Sequence, residues 1–203
     1  MKIGIFGGTF DPIHIGHLRL ADWFSRNAGL DMVWLMVSPR NPLKTGGAAP
    51  VSAQQRLEMV RLAVKDYPRL RADDTEFSLP VPSYTITTLR TLAERHPNDD
   101  FTLIVGADNI LAFDRWKDPE ELLRRFGVLV YPRPGYDLDP HRLPPGSRLA
   151  EGCPQTDISS TEIRQLLSRG DPAASAFLPP AVAAYIAAHP LYLPAGYSFK
   201  LCY

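Results

Sequence analysis

A short apolar run that stops at two glycines and leads into a helix limits the fold of this chain more than any other feature. Residues 2–6, KIGIF, suit a strand buried in a parallel sheet, and two glycines then break the run with a turn. Apolar residues recur near helical spacing until about Ala28, and MVWLMVS at 32–38 is predicted to be a second buried strand. This order gives a βαβ unit, whose ligand crevice lies at the carboxyl ends of its strands.

The same alternation of strands and helices continues along the chain. A loop at 39–52, rich in proline and glycine, again leaves from the end of a strand. The elements predicted after it are a helix that Ser52 caps and Tyr67-Pro68 ends, an edge strand at 70–77, a helix at 85–96, a strand at 101–108, a short helix at 119–126, a strand at 127–131, and helices at 159–170 and 180–189. We therefore predict an α/β fold with a doubly wound parallel sheet and C-terminal helices.

Length, charge and cysteine content exclude several classes of protein. The 203 residues suffice for one α/β core but hardly for two large domains. Lysine plus arginine and aspartate plus glutamate both number 22, so no overall positive field attracts nucleic acid. Cys153 and Cys202 lie far apart without CxxC spacing, which argues against a zinc site and a disulfide framework.

The apolar segments are too short to direct the chain to a membrane. Glycines break the N-terminal apolar run before it reaches the length of a signal-peptide core. The apolar helical stretch AVAAYIAA is likewise too short for a membrane span. We predict a soluble, cytoplasmic protein with no membrane partner.

The segment GGTFDPIHIGH, between the first strand and the first helix, has the features of an anion site. Its backbone N–H groups and the positive end of the helix would face a negative ligand, and the glycines permit close approach. His14 and His17 lie on one face of the first turn, where imidazoles donate hydrogen bonds to phosphate oxygens. A zinc site would need more ligands than these two and Asp11, and a plain glycine turn with two surface histidines leaves the arrangement unexplained.

The same letters suggest a reaction class. Residues 14–17 spell HIGH, as in class I aminoacyl-tRNA synthetases, so they favour attack on the α-phosphorus of ATP and leave the acceptor open. The segment is neither a Walker loop nor the GxGxxG dinucleotide fingerprint, so hydride chemistry loses support. A synthetase would also carry a lysine-rich KMSKS loop, and this chain has none.

A second helix start, ISSTEIRQLL, combines an ordinary cap with a set of anion ligands. Ser159 as N-cap and Glu162 three residues later predict a capping box, which explains both residues without any ligand. The cap does not require Ser160, Thr161 or Arg164. Two hydroxyls and a guanidinium beside free helix N–H groups suit a polyphosphate.

These motifs together resemble one enzyme family. GGTFDPIHIGH, ISSTEIR and the strand-ending GADN are similar to the HxGH nucleotidylyltransferases, and PSYT, FDRWK and YIAAHPLY narrow the resemblance to the bacterial nicotinate-nucleotide adenylyltransferases. The N-terminal motif alone would also fit phosphopantetheine adenylyltransferases and cytidylyltransferases. The resemblance implies a Rossmann-like nucleotidylyltransferase fold in a single domain at 1–192, with a tail of unknown role at 193–203.

The resemblance implies an ATP site built from several segments. The residues implied to bind ATP are Gly8, Thr9, Phe10, Gly106, Asp108, Arg133, Ser159, Ser160 and Thr161, and those implied in catalysis are His14, His17, Lys44 and Arg164. The two histidines would hold the triphosphate as electrostatic aids, and Gly106 and Asp108 would approach the adenosine ribose. From the residues alone, Asp108 could instead cap the helix after it, and Arg133 could be a solvated loop charge.

The resemblance also implies a site for an acceptor nucleotide. Thr85 and the backbone around Trp116 and Lys117 would recognise the pyridine carboxylate of nicotinate mononucleotide, with Trp116 stacked on the ring. Lys44 would meet the acceptor phosphate; in PLK at 42–44, leucine stands where many family members have histidine. From the residues alone, Trp116 also fits packing at a helix edge, and Thr85 fits a helix cap.

The expected reaction transfers AMP from Mg-ATP to nicotinate mononucleotide and gives nicotinate adenine dinucleotide and pyrophosphate. The expected cofactor is Mg²⁺ held by the ATP phosphates rather than by a protein metal site. The partners are the two substrates, with no nucleic acid, and a homo-oligomer is left open. The rivals are another adenylyl- or cytidylyltransferase, a non-catalytic nucleotide sensor, and an RNA-binding fragment similar to a synthetase.

Overall fold

The centre of the protein is a sheet of six parallel strands, seen in a computed structural model that describes residues 1–39, 51–155 and 157–193. The strands are β1 (Lys2–Gly8), β2 (Met32–Val37), β3 (Leu70–Asp73), β4 (Asp100–Gly106), β5 (Val128–Tyr131) and β6 (Ser147–Leu149). Their order is β3-β2-β1-β4-β5-β6, so β1 pairs with β2 on one side and with β4 on the other. The strand order reverses between β1 and β4, which places a ligand crevice at their carboxyl ends.

Helices connect the strands and cover the sheet. They are α1 (Ile15–Asn27), α2 (Ala53–Val64), α3 (Thr85–Arg95), α4 (Ala107–Ile110), α5 (Pro119–Glu121), α6 (Ser160–Ser168) and α7 (Pro180–Ala188). Short 3-10 turns lie at Thr75–Ser78, Phe113–Arg115, Pro140–Arg142 and Pro172–Phe177. Within the described ranges, no helix has the length and apolarity that crossing a membrane requires.

The helices pack on both faces of the sheet because alternate strand residues point to opposite sides. In β2, Val33 and Leu35 join a core with α1, α2, α6 and α7, whereas Trp34 and Met36 join a core with α3 and the turn after α5. All four side chains are at most 2% exposed, as expected of a strand buried on both faces. The predicted doubly wound parallel sheet is confirmed, and the C-terminal helices lie on the face of α1.

Several boundaries differ from the prediction for identifiable reasons. β3 is an edge strand, as predicted, but it ends at Asp73 rather than at residue 77. The Asp73 carboxylate accepts the Thr75 N–H at 3.0 Å, and the chain turns there. β4 ends at Gly106, so Ala107 and Asp108 already belong to α4. β6 was not predicted, since three residues are too few to show an alternating pattern.

Candidate active site

Two glycines form the floor of the site at the carboxyl ends of β1 and β4. A Cβ atom on Gly8 would lie 3.0 Å from the Phe10 ring. A Cβ atom on Gly106 would lie 2.5 Å from Asp108 Oδ1 and 2.7 Å from Arg133 Cδ. A side chain at Gly106 would displace Asp108 or Arg133, and one at Gly8 would press on the Phe10 ring, so the absence of a Cβ atom lets these side chains come directly against the backbone.

Phe10 fixes the shape of the loop between β1 and α1. Its side chain is 2% exposed, and its φ of 47° is in the left-handed region that non-glycine residues seldom adopt. The ring meets Phe6 edge-on at 5.9 Å and His17 at 5.1 Å between centroids. This packing compensates the backbone cost and holds the loop against the start of α1.

His14 and His17 stand side by side at the N-terminus of α1. His14 is the N-cap residue, and the two rings lie 3.7 Å apart between centroids. The His14 amide donates to His17 Nδ1 at 3.3 Å, so a neutral His17 carries its proton on Nε2 and can donate from there. Burial lowers the pKa of His14 to about 4. Burial, and then the charges of His14 and Arg133, lower the pKa of His17, so both rings are neutral near pH 7.

A buried arginine holds the loop from beneath. Arg56 of α2 is 1% exposed and donates to the Thr9 carbonyl, to the Ser38 carbonyl at 2.9 Å and to the Pro39 carbonyl at 2.9 Å. These carbonyls belong to the segments that follow β1 and β2, so one guanidinium joins two strand ends. The sequence did not indicate this residue, because an arginine near the start of a helix resembles an exposed surface charge.

The N-terminus of α6 docks on the same loop from the other side. Arg164 donates to the Asp11 carbonyl at 2.6 Å, and the Ser160 hydroxyl donates to the Pro12 carbonyl at 3.0 Å. The Tyr192 hydroxyl donates to the Asp11 carboxylate at 2.6 Å, which ties the residues that follow α7 to the loop. Two motifs about 150 residues apart in sequence therefore form one surface.

The capping box predicted for α6 is present. The Ser159 hydroxyl accepts the Glu162 N–H at 3.2 Å and donates to the Glu162 carboxylate at 2.7 Å. The Ser159 N–H donates to the same carboxylate at 3.0 Å. Both functions of the Ser159 hydroxyl are thus used within the cap. Thr161 differs, since its oxygen accepts from Arg164 at 3.2 Å and its own hydrogen remains available to a ligand.

Asp108 and Arg133 form an ion pair above Gly106. The guanidinium donates to Asp108 Oδ2 at 2.8 Å, while Asp108 Oδ1 is buried and has no partner among the described residues. Asp108 lies in the first turn of α4 and makes no side-chain cap. Arg133 is an exposed loop charge that pairs with this carboxylate. The pair leaves one carboxylate oxygen free for a hydroxyl donor.

A cavity of about 680 Å³ adjoins this edge of the sheet. Gly8 and Gly106 line it, as do three residues implied for the acceptor site, namely Thr85, Trp116 and Lys117. The sequence analysis did not select Glu76, Ser83, Tyr84, Asn109, Arg115 and Tyr131, which also line the cavity. Four of these residues belong to the motifs PSYT, GADN and FDRWK, which could have indicated them. Glu76 and Tyr131 lie outside these motifs.

Contacts from α3 hold the two walls of the cavity together. Arg90 pairs with Asp118 at 3.1 Å and also with Glu121. At the mouth, the Lys117 ammonium lies 4.9 Å from the centroid of the Tyr84 ring. Tyr84 is the N-cap of α3 and makes no side-chain cap, so Thr85 is the first helical residue rather than a cap. The N–H groups at this helix start therefore lack a capping side chain.

The acceptor-phosphate residue implied by the sequence lies outside the described residues. Lys44, with Leu43 before it, falls in residues 40–50. The other residues implied for the site meet at one edge of the sheet. One set surrounds the β1–α1 loop and the N-terminus of α6, a second set lines the cavity, and the Asp108–Arg133 pair lies against Gly106.

Comparison with known proteins gives a consistent picture. A family model described as cytidylyltransferase-like matches residues 5–166. A protein of Bacteroides fragilis named "Probable nicotinate-nucleotide adenylyltransferase" is 48% identical over 169 residues, which is 83% of this chain and 83% of that protein. A protein of Flavobacterium johnsoniae with the same name is 41% identical over 187 residues, or 92% of this chain and 96% of its own length.

A solved structure shares the fold. It is the nicotinic acid mononucleotide adenylyltransferase of Plasmodium falciparum complexed with NaAD, which superposes with a TM-score of 0.75 and 22% sequence identity. The superposition covers 94% of this chain and 97% of that one. At this identity, the likeness shows the arrangement of strands and helices alone.

Proposed function

The chain belongs to the cytidylyltransferase-like family and, within it, to the nicotinate-nucleotide adenylyltransferases, and from this membership we propose a role for each part of its site. It is an enzyme of NAD biosynthesis that transfers AMP from ATP to nicotinate mononucleotide, with nicotinate adenine dinucleotide and pyrophosphate as products. One observation supports the assignment of roles. The loop suited to phosphates contributes Gly8 to the lining of the cavity, and Gly106, which lies against Asp108 and Arg133, lines the same cavity, so two substrates would meet above these glycines.

The reaction needs alignment and charge stabilisation rather than a protein nucleophile. A phosphate oxygen of nicotinate mononucleotide attacks the α-phosphorus of ATP, a new P–O bond forms, and the bond to the bridging oxygen of the β-phosphate breaks. Pyrophosphate departs with the electron pair, so negative charge grows on the equatorial and leaving oxygens. Donors aimed at those oxygens would supply most of the catalysis.

We propose that His14, His17 and the N-terminus of α6 hold the triphosphate. Neutral imidazoles donate one hydrogen bond each, and the His17 proton on Nε2 is free for a phosphate oxygen. Arg164 and the Thr161 hydroxyl would add donors from the facing helix, with Ser160 and Ser159 holding that helix start in place. Lys44 stays a predicted ligand of the acceptor phosphate.

We propose that the adenosine ribose lies against the end of β4. The free Oδ1 of Asp108 would accept a ribose hydroxyl, which satisfies a buried atom that otherwise lacks a partner. Gly106 permits the approach, and the ion pair with Arg133 orients the carboxylate. Gly8, Thr9 and Phe10 would form the wall beside it.

We propose that nicotinate mononucleotide occupies the cavity. Its pyridine carboxylate would meet the uncapped N–H groups at Thr85, where the helix terminus is positive. Trp116 packs at 5.0 Å from Phe113, which holds its ring as a shelf for the pyridine, beside the Lys117 backbone. A site of N–H and hydroxyl donors favours the acid over nicotinamide mononucleotide, whose carboxamide adds an N–H₂ donor.

The residues present fit a divalent cation that arrives with ATP. Nowhere in the described ranges do three or more His, Cys, Asp or Glu side chains form a metal cage. Mg²⁺ commonly binds substrate phosphates and water with few protein ligands. When bound there, the cation neutralises phosphate charge, and we propose Mg²⁺ as the cation used.

Pyrophosphate release tests the assignment directly. Mg-ATP is incubated with nicotinate mononucleotide, nicotinamide mononucleotide or phosphopantetheine, side by side. We expect turnover with the first and little with the others. Turnover with phosphopantetheine would instead indicate another adenylyltransferase. Binding of ATP without pyrophosphate release would indicate a nucleotide sensor.

Other features remain predictions of the sequence. They are the single domain at 1–192 with a separate tail, the cytoplasmic location, the lack of a nucleic-acid partner and the open question of a homo-oligomer. Gel filtration with light scattering measures the oligomer, and tRNA binding at physiological salt tests the synthetase-like rival.

A further inference from the structure

One buried carboxylate in the acceptor cavity has no part in the reaction described above. Glu76 lies in the 3-10 turn after β3, is 4% exposed, and lines the cavity beside Ser83 and Thr85. Burial raises the pKa of this side chain. Carboxylates are seldom buried to this extent, because removing the charge from water is costly. A carboxylate buried in this way is usually stabilised by hydrogen bonds to its oxygens.

The two oxygens of Glu76 bind the start of α3, and the Ser38 hydroxyl, directly after β2, also forms a hydrogen bond with this carboxylate. Oε2 accepts the Ser83 hydroxyl at 3.0 Å, and Oε1 accepts the Thr88 hydroxyl at 3.1 Å. Both hydroxyls are buried, since Ser83 is 6% exposed and Thr88 is 0% exposed. One lies two residues before Thr85 and the other three residues after it. The carboxylate therefore grips both ends of the segment that carries Thr85.

The start of α3 has few other side-chain constraints. Its N-cap, Tyr84, makes no side-chain cap, and its first turn contains no acidic residue. Glu76 supplies from another segment the negative charge and the acceptors that a local cap usually provides at a helix N-terminus. It does so through Ser83 and Thr88, so the N–H groups at Thr85 are left unoccupied by side chains of the described residues.

We propose that Glu76 is a positioning residue for the acceptor: through Ser83 and Thr88 it sets the first turn of α3 so that its N–H groups meet the pyridine carboxylate. This inference rests on the proposed function, because it assigns Glu76 to the nicotinate mononucleotide site. Glu76 does not touch the reacting phosphates. Its loss should therefore weaken the use of the acceptor and leave the use of ATP nearly unchanged.

Steady-state kinetics of Glu76→Ala and Glu76→Gln test the role. We expect Glu76→Ala to raise the KM for nicotinate mononucleotide by about tenfold, the effect of losing a buried charged hydrogen bond, with the KM for ATP within about twofold. Glu76→Gln should recover most of the affinity, because its oxygen still accepts one hydroxyl and its amide can donate to the other.

Two further variants separate positioning from general stability. The double variant Ser83→Ala with Thr88→Val removes both hydroxyls and should raise the KM for nicotinate mononucleotide, as Glu76→Ala does. It tests the positioning role even if Glu76→Ala fails to fold. Ser25→Ala is the matched control, because its hydroxyl is also buried and donates to the Asp22 carbonyl at 2.8 Å on the opposite face. It should lower the melting temperature without changing either KM.

The outcomes distinguish this inference from the proposed function. An equal rise of both KM values, or no rise of either, would overturn the positioning role while the enzyme assignment stands. A wild-type enzyme that binds ATP but does not turn over nicotinate mononucleotide would overturn the proposed function, and the positioning role with it. A selective rise reversed by Glu76→Gln supports both.

Discussion

The nucleotide side and the acceptor side of the site are built in different ways. On the nucleotide side, GGTFDPIHIGH supplies glycines and histidines from one continuous segment, and Arg56 and Arg164 fix its backbone through carbonyl groups. On the acceptor side, the cavity walls come from separate segments around residues 81–85, 103–109 and 115–117. In the first region, side chains bind the backbone carbonyls of one loop, whereas in the second, hydrogen bonds and ion pairs such as Arg90 to Asp118 join separate segments.

This difference predicts which kinetic constant each region controls. Donors on the nucleotide side face charge that grows during the reaction, so their loss should reduce kcat. Groups on the acceptor side contact a pyridine ring that does not react, so their loss should mainly raise the KM for that substrate. Substitutions on either side test whether the nucleotide side controls kcat and the acceptor side controls KM.

The largest effect is expected from His17→Ala. Loss of a preorganised donor should lower kcat by roughly 10²- to 10³-fold and change either KM little. The measurement is pyrophosphate release at saturating substrates. His141→Ala, at an exposed histidine in the loop after β5, is the control and should retain full activity. A His17 variant with unchanged kcat would remove this residue from the mechanism.

The pH dependence of folding should be next in size. His14 has a folded pKa of about 4, below its ordinary 6.5, so the unfolded state binds more protons between these values and stability falls on acidification. The free energy of unfolding should fall by about 2 kcal/mol from pH 7 to pH 5, as far as this histidine contributes. Urea titrations of wild type and His14→Asn at each pH measure this free energy. If it fell equally with acid in both proteins, His14 would not contribute to the pH dependence.

Glu76 on the acceptor side should respond to acid in the opposite sense. Its pKa is raised by burial, so protonation begins earlier in the folded state and relieves the cost of its charge as pH falls. Glu76→Gln should therefore lose stability relative to wild type on acidification. Urea titrations of wild type and Glu76→Gln over the same pH range measure this change. Comparison with His14→Asn separates the contribution of Glu76 to stability from that of His14.

A smaller effect is expected from Trp116→Ala. Loss of the ring shelf should raise the KM for nicotinate mononucleotide by about tenfold, in the range of an aromatic contact with its buried area, and leave the KM for ATP unchanged. Initial rates with each substrate varied in turn provide both values. If the KM for ATP alone rose, Trp116 would belong to the nucleotide side.

The smallest effect is expected from Ser159→Ala. Because both functions of its hydroxyl are used in the cap, the change should cost about 1 kcal/mol of stability. Ser159→Gly should cost less, since glycine is a tolerated N-cap. Thermal melts give the stability. A hundredfold fall in kcat at an unchanged melting temperature would show instead that Ser159 leaves the cap to bind phosphate.

The sequence predicted most of the fold because its signals are local. KIGIF and MVWLMVS are apolar over their whole length, as strands covered on both faces must be, and the order of elements implies the doubly wound sheet. The missed strand β6 is too short for a pattern and exists through pairing with β5. Likewise, Asp73 ends β3 through a side-chain bond that periodicity does not reveal.

For the site, the amino-acid sequence alone determined the chemistry of the contiguous motifs: glycines, histidines and hydroxyls that suit phosphate oxygens. Only the tertiary structure decided that His14 and His17 are neutral, since burial sets their pKa values, and that Arg56, Glu76 and Arg90 support the site. These three bind residues of other segments, from 7 to 47 positions away along the chain, and their identity as buried or paired charges depends on what folds against them. A charged residue in a helix or turn looks the same in sequence whether water or protein surrounds it, and that difference arises only when the chain is folded.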